Sequence, residues 1–197
     1  MAGKKKGKLI CDVGINDADY ITQPTINGKT VICPFYKRWF SMIVRCYSKN
    51  SLETNKTYSG CSVIPKWHSF MNFKSWMENQ DWEDKCLDKD LLIKGNKIYS
   101  PDTCVFITHE VNCFLVDQVR RRGGCPIGVY KHKDGKYVAQ TNHNGEKFYL
   151  GWYDYPEQAH KVWLKKKLEL AKGLALKQNN SRVAEALVSR YDVEIYE

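Results

Sequence analysis

The stretch "GVYKHKDGKYVAQTNHNGEKFYLGWYDYPEQAHKVW", residues 128–163, decides how the second half of this 197-residue chain folds. It holds three runs rich in Tyr, Val, Phe, Thr and Trp, residues that suit a pleated surface: "GVYKH" (128–132), "KYVAQTN" (136–142) and "KFYLGWY" (147–153). "KDG" and "HNGE" separate them, and the Asn-Gly of the second is a strong hairpin signal. Pro156 then opens a predicted helix over 156–176, since proline is favoured at the first helical position. Ala159, Val162 or Trp163, Leu168 and Ala171 are its predicted sheet-packing residues. "NSRVAEALVSRY" (180–191) reads as one more short helix before the tail "DVEIYE".

A three-stranded sheet on one helix buries a single face. Alternation sends Tyr130 and His132, Gln140 and Asn142, and Lys147 and Tyr149 to the other face together. Gln and Asn can contact adenine edges, Lys can reach guanine or phosphate, and Tyr can meet a thymine methyl or a phosphate. A ribbon this narrow can enter a major groove. A polar face that meets only solvent is the plain alternative.

The charge balance favours the first reading. The chain carries 31 Lys+Arg against 22 Asp+Glu, a formal net charge of +9, with a pI near 9.1. Such an excess suits a polyanionic partner, nucleic acid or an anionic membrane surface. No apolar run approaches the ~18–20 residues of a membrane span, and "LICDVGI" is too short and polar for a signal peptide. The expectation is a cytoplasmic protein with no membrane partner and reduced thiols. None of the eight cysteines forms a CxxC pair, which argues against a zinc ribbon. A zinc held by Cys46, Cys61 and Cys104 is an alternative.

Residues 1–118 carry 16 Lys+Arg and 13 Asp+Glu (net +3), and residues 119–197 carry 15 and 9 (net +6). "RRRGGCP" (120–126) lies between them and reads as a basic hinge. The expected organisation is a basic arm and lead-in (1–33), a first domain (34–118), the hinge (119–126), the sheet domain (127–177) and a terminal helix and tail (178–197).

In the first domain, "PFYKRWFSMIVRCY" (34–47) and "PKWHSFMNFKSWMENQ" (65–80) are predicted helices opened by proline. Phe35, Trp39, Ile43 and Cys46 recur at helical spacing in one, and Trp67, Phe70, Phe73 and Met77 in the other. "NSLETNKTYSGCS" between them reads as a loop. Over 86–115, "CLDKDLLI" and "CVFI" read as strands, "KGNKIYSPDT" as turns, and "THEVNCFLVDQV" as a helix capped by Thr108. The whole is an α+β protein, with a helical and ββα N-terminal region and a C-terminal three-stranded antiparallel sheet packed on one helix.

Two resemblances sharpen this reading. Gly128-Val129, Gly135-Lys136-Tyr137, Ala139, Tyr149-Leu150-Gly151, Tyr153-Asp154 and Glu157-Gln158-Ala159 resemble the plant ethylene-response-factor (APETALA-type, ERF) DNA-binding domain. The resemblance implies a sheet laid in the major groove of double-stranded DNA, with Leu150-Gly151 ending the reading strand. It adds Lys136 to the DNA-contacting set. The family's arginines and tryptophans are replaced by Tyr130, His132, Asp134, Asn142 and Lys147, so a different base preference is implied. Arg120, Arg121, Arg122 and the Lys4–Lys8 arm would add phosphate contacts.

"MIVRCYS", "GCSVIPKWHSFMNF" and "LDKDLLIKGNKIYSPDTCVF…VN" resemble the HNH-endonuclease-like proteins of phages, the group that includes homing endonucleases. That resemblance implies a Mg²⁺-dependent or similar divalent-metal nuclease, placed in the host cytoplasm if phage-encoded. Asp88 or Asp90 and Asn112 would ligate the metal. The general-base position is Lys89, which is ordinarily protonated near neutral pH; His109 could substitute. Thr103 stands where the family has its central Asn. Two readings stay open: a nuclease with an altered base, or an inactive DNA-binding or regulatory protein acting on DNA or on a host protein.

Overall fold

The computed structural model describes residues 9–116 and 124–192. They form two compact units, one ending at Phe106 and the other starting at Ile107. Small sheets and helices alternate in both, an α+β arrangement. Among the described residues no helix is long and apolar enough to cross a membrane.

In the N-terminal unit, strands β1 (Thr25–Ile26) and β2 (Lys29–Thr30) form a small hairpin. Helix α1 (Pro34–Tyr47) follows, and it buries Tyr36, Trp39, Met42, Ile43 and Cys46. The predicted second helix is split. Pro65–His68 is a single 3-10 segment, and Ser69 then caps α3 (Phe70–Met77), its hydroxyl accepting from Asn72 N. The break leaves the apolar stripe intact, because Trp67, Phe70, Phe73 and Met77 are all buried. Trp39 ties α1 to the 3-10 segment by donating its indole N–H to Trp67 O at 2.8 Å. Asp17 anchors the lead-in from the other side, accepting from Ser69 Oγ at 2.6 Å and Met71 N at 2.9 Å.

The expected loop over 50–62 contains helix α2 (Lys49–Thr54), capped by Ser48, and ends in strand β3 (Ser62–Val63). Strand β3 pairs in parallel with β5 (Ile98–Tyr99), a strand inside the segment read as turns. Nothing local signals so short a pairing; the partner lies 36 residues away in the register Ser62↔Ile98. Strand β4 (Cys86–Asp88) pairs with β6 (Val105–Ile107).

The C-terminal unit opens with α4 (His109–Leu115), capped by Thr108 as expected, with Val111 N donating to the hydroxyl. The expected joint at 119–126 therefore falls within this unit, and residues 117–123 lie outside the described ones. The physical reason is that α4 is tied into the sheet domain. Glu110 accepts from Asn144 Nδ2 at 2.7 Å, and Phe114 O accepts from Lys167 Nζ at 2.7 Å.

Strands β7 (Val129–Lys131), β8 (Tyr137–His143) and β9 (Glu146–Tyr153) form an antiparallel sheet in that order. Asn144 and Gly145, both at positive φ, make the two-residue turn between β8 and β9. Helix α5 (Pro156–Ala175) packs on all three strands, and α6 (Ser181–Ser189) packs on α5. The buried stripe of α5 is Ala159, Trp163, Lys167, Ala171 and Leu174. It passes through Lys167, not the expected Leu168. The four-carbon stem of the lysine fills the core position while its amine reaches Phe114 O and lies 3.2 Å from the centre of the Phe114 ring.

Candidate nucleic-acid interface

The register of β7–β8–β9 fixes two faces. Val129, Ala139 and Gly151 are cross-strand neighbours on the helix side, where Phe148 also meets the Lys166 amine of α5. The opposite face carries Tyr130 beside Val138 and Trp152, then Gln140 beside Tyr149 and Asn142 beside Lys147. The five strand residues that alternation assigned to one face thus share it. Tyr149, Asn142 and Lys147 are exposed there, and Tyr130 and Gln140 are half-buried.

His132 lies just past β7, in the turn. Its ring meets the edge of Trp152 at 4.5 Å, and its Nδ1 lies 3.0 Å from Asp134 Oδ2. Lys136 is exposed and lies 3.5 Å from Asp154. Arg120, Arg121, Arg122 and the Lys4–Lys8 arm lie outside the described residues.

Trp152, 45% exposed on this face, was missed by the sequence reading. Strict alternation from Tyr149 sends residue 152 to the helix side. A bulge reverses it: Ala139 pairs with Gly151 and Gln140 with Tyr149, so Leu150 is an extra residue and β9 runs on to Tyr153. Leu150-Gly151 therefore bends the strand instead of ending it. Gly151 takes φ +114°, and the Tyr153 hydroxyl donates to Leu150 O at 2.8 Å. A lone glycine inside a strand pattern is the signal that could have revealed the bulge.

The second candidate group is built differently. Asp88 ends β4, and its Oδ1 accepts from Asp90 N at 2.9 Å and Leu91 N at 2.7 Å. This local turn cuts short the strand expected over 86–93. Burial raises the Asp88 carboxyl above its ordinary range, and Asp90 adds to the rise. Lys89 is buried, with Nζ 3.1 Å from Asp90 Oδ2 and 3.2 Å from Asn96 O. Burial alone would lower its pKa, but the Asp90 carboxylate holds the ammonium in place. Asn96 closes the loop by donating to Lys89 O and Ile98 O. Thr103 donates to Ile98 O at 2.7 Å, a turn contact.

These residues do not fit a divalent metal. One Asp88 oxygen already holds two backbone N–H groups, and a buried ammonium occupies the space beside Asp90 that a dication would need. His109 and Asn112 sit on α4, the helix that follows β6. His109 is exposed, and its Nε2 lies 3.3 Å from Cys113 Sγ. Among the described residues no three His, Cys, Asp or Glu side chains come together as a metal site. Cys46, Cys61 and Cys104 are buried, and burial pushes the Cys46 and Cys104 thiols up to about 12. The chain matches no protein-family model, no curated protein and no solved structure.

Proposed function

We propose that this protein binds double-stranded DNA through the open face of the β7–β8–β9 sheet, and that the Asp88–Asp90 turn serves the fold and not phosphodiester hydrolysis. The observation that carries the proposal is one register: Tyr130, Gln140, Asn142, Lys147, Tyr149 and Trp152 stand on a single face of a three-stranded ribbon. Asn142, exposed on that face, offers a paired donor and acceptor to adenine edges, the half-buried Gln140 adds to the same row, and Lys147 offers a donor to guanine or phosphate. Tyr149 and Trp152 add exposed apolar area at low conformational cost. The net charge of +9 supplies the attraction to phosphates that any such surface needs.

Fluorescence anisotropy with labelled duplexes at two salt concentrations tests the binding. Saturable, salt-dependent binding that weakens in Gln140→Leu and Lys147→Gln is the expected result. Wild-type affinity in both variants refutes the face. Incubation of the same duplexes with Mg²⁺ should leave both strands intact. Cleavage that Asp88→Ala abolishes would restore the nuclease reading.

A further inference from the structure

The open sheet face carries more apolar area than hydrogen bonding to a partner requires. Tyr149 is 53% exposed and Trp152 45%. They stand in successive rows of the sheet, Tyr149 opposite Gln140 and Trp152 opposite Val138. The His132 ring props the edge of Trp152 with ring centres 4.5 Å apart, and Tyr130 continues the Trp152 row on β7. One row beyond Tyr149 stand the exposed Asn142 and Lys147.

Two large rings on a face that meets a duplex lose their water on binding. That loss is favourable against apolar groups and unfavourable against polar base edges left without a hydrogen bond. The major groove presents acceptors on guanine, an amino donor on cytosine, an acceptor and an amino donor on adenine, and an acceptor and the C5-methyl group on thymine. In that set the methyl is the single apolar group. Tyr149 and Trp152 lie in different rows, so each can meet a methyl on a different base pair.

We propose that Tyr149 and Trp152 read pyrimidine C5-methyl groups in the major groove, with thymine as their source. This rests on the reading of the sheet as a DNA-binding face. Thymine is favoured over 5-methylcytosine, which carries the same methyl, because Asn142 in the neighbouring row pairs with the edge of adenine, a group that accompanies every thymine. The rings and the amide then select the same base pairs. Burying one methyl is worth about fourfold in affinity, so two rings give about fifteenfold.

Four duplexes of equal length test it by anisotropy: alternating A·T, the same with uracil for every thymine, alternating G·C, and the same with 5-methylcytosine for every cytosine. Uracil differs from thymine by that one methyl. The uracil duplex should bind about fifteenfold more weakly than the thymine duplex. Tyr149→Ala and Trp152→Ala should each bring this ratio down to about fourfold. Trp152→Phe keeps an apolar ring and should keep the ratio. Lys147→Gln, which weakens both duplexes alike, should keep it too. The thymine duplex should also bind more tightly than the 5-methylcytosine one. Equal affinity for thymine and uracil, or a full ratio in both alanine variants, overturns the methyl assignment and leaves the DNA-binding reading standing. So does 5-methylcytosine bound as tightly as thymine, which removes thymine as the source. No binding to any duplex overturns both.

Discussion

Gly128 and Trp163 touch: a Cβ added at residue 128 would lie 2.0 Å from Cδ1 of the indole ring. The glycine also holds φ +80°, a region costly for any other residue. Just before it, Ile127 O lies 2.8 Å from His160 Nδ1, and the His160 ring stacks on Trp163. Strand β7 therefore enters the sheet against α5 through one backbone position that admits no side chain. Gly128→Ala should cost about 3 kcal/mol or more, since clash and backbone strain add. Urea unfolding of the two proteins measures it, and a loss under about 1 kcal/mol would show that α5 can withdraw.

The Asp88 turn separates structure from catalysis. Asp88→Ala strands two backbone N–H groups and should lower stability by about 2–3 kcal/mol. Asp88→Asn keeps an oxygen at the same place and should lose far less. Burial raises the folded-state pKa of Asp88, so the folded chain holds its proton when the unfolded chain has released it. Stability from this group therefore falls as pH rises from about 4, and Asp88→Asn, which does not titrate, should gain on the native protein over that range. Unfolding midpoints at several pH values give the comparison; a constant difference contradicts it.

Lys167 should leave the opposite mark. Burial, with Arg190 adding to it, pushes its amine down to about 7. Below that value the folded and unfolded chains both carry the proton. Between about 7 and the ordinary lysine value near 10.4, only the unfolded chain does. Stability then rises with pH, by at most about 1.4 kcal/mol per unit. Against Lys167→Met, which cannot titrate, the native protein should gain about 2 kcal/mol between pH 7 and pH 9. A flat difference would mean that the Phe114 ring and carbonyl hold the charged form throughout.

On the open face, Trp152→Ala should weaken duplex binding about tenfold, because nearly half of the ring is free to meet a partner. Lys147→Gln should act alike on all duplexes and lower the slope of log K against log salt by about one. Binding isotherms over 50–300 mM salt distinguish the two effects.

The hairpins and the helix of the C-terminal unit were legible because their signals are local. Asn144-Gly145 takes the positive φ pair that sets the β8–β9 register, and Pro156 opens α5 at its first residue. Thr108 caps α4, and the Trp67–Met77 stripe survives a break in its helix. The candidate face followed from the same period of two, for Tyr130, Gln140, Asn142, Lys147 and Tyr149. Trp152 escaped it because one inserted residue, Leu150, reverses the alternation, and a bulge is chosen jointly by two strands.

Local order along the chain was thus determined by the sequence itself: turn residues, caps and apolar periods act within a few positions, and no distant partner need be known. What only the tertiary structure decided involves groups far apart in sequence. It set β5 beside β3, brought the Trp39 indole to Trp67 O and tied α4 to the sheet domain through Lys167. Burial sets the energy of each of these groups, and burial is a property of the packed chain, not of any short segment of it.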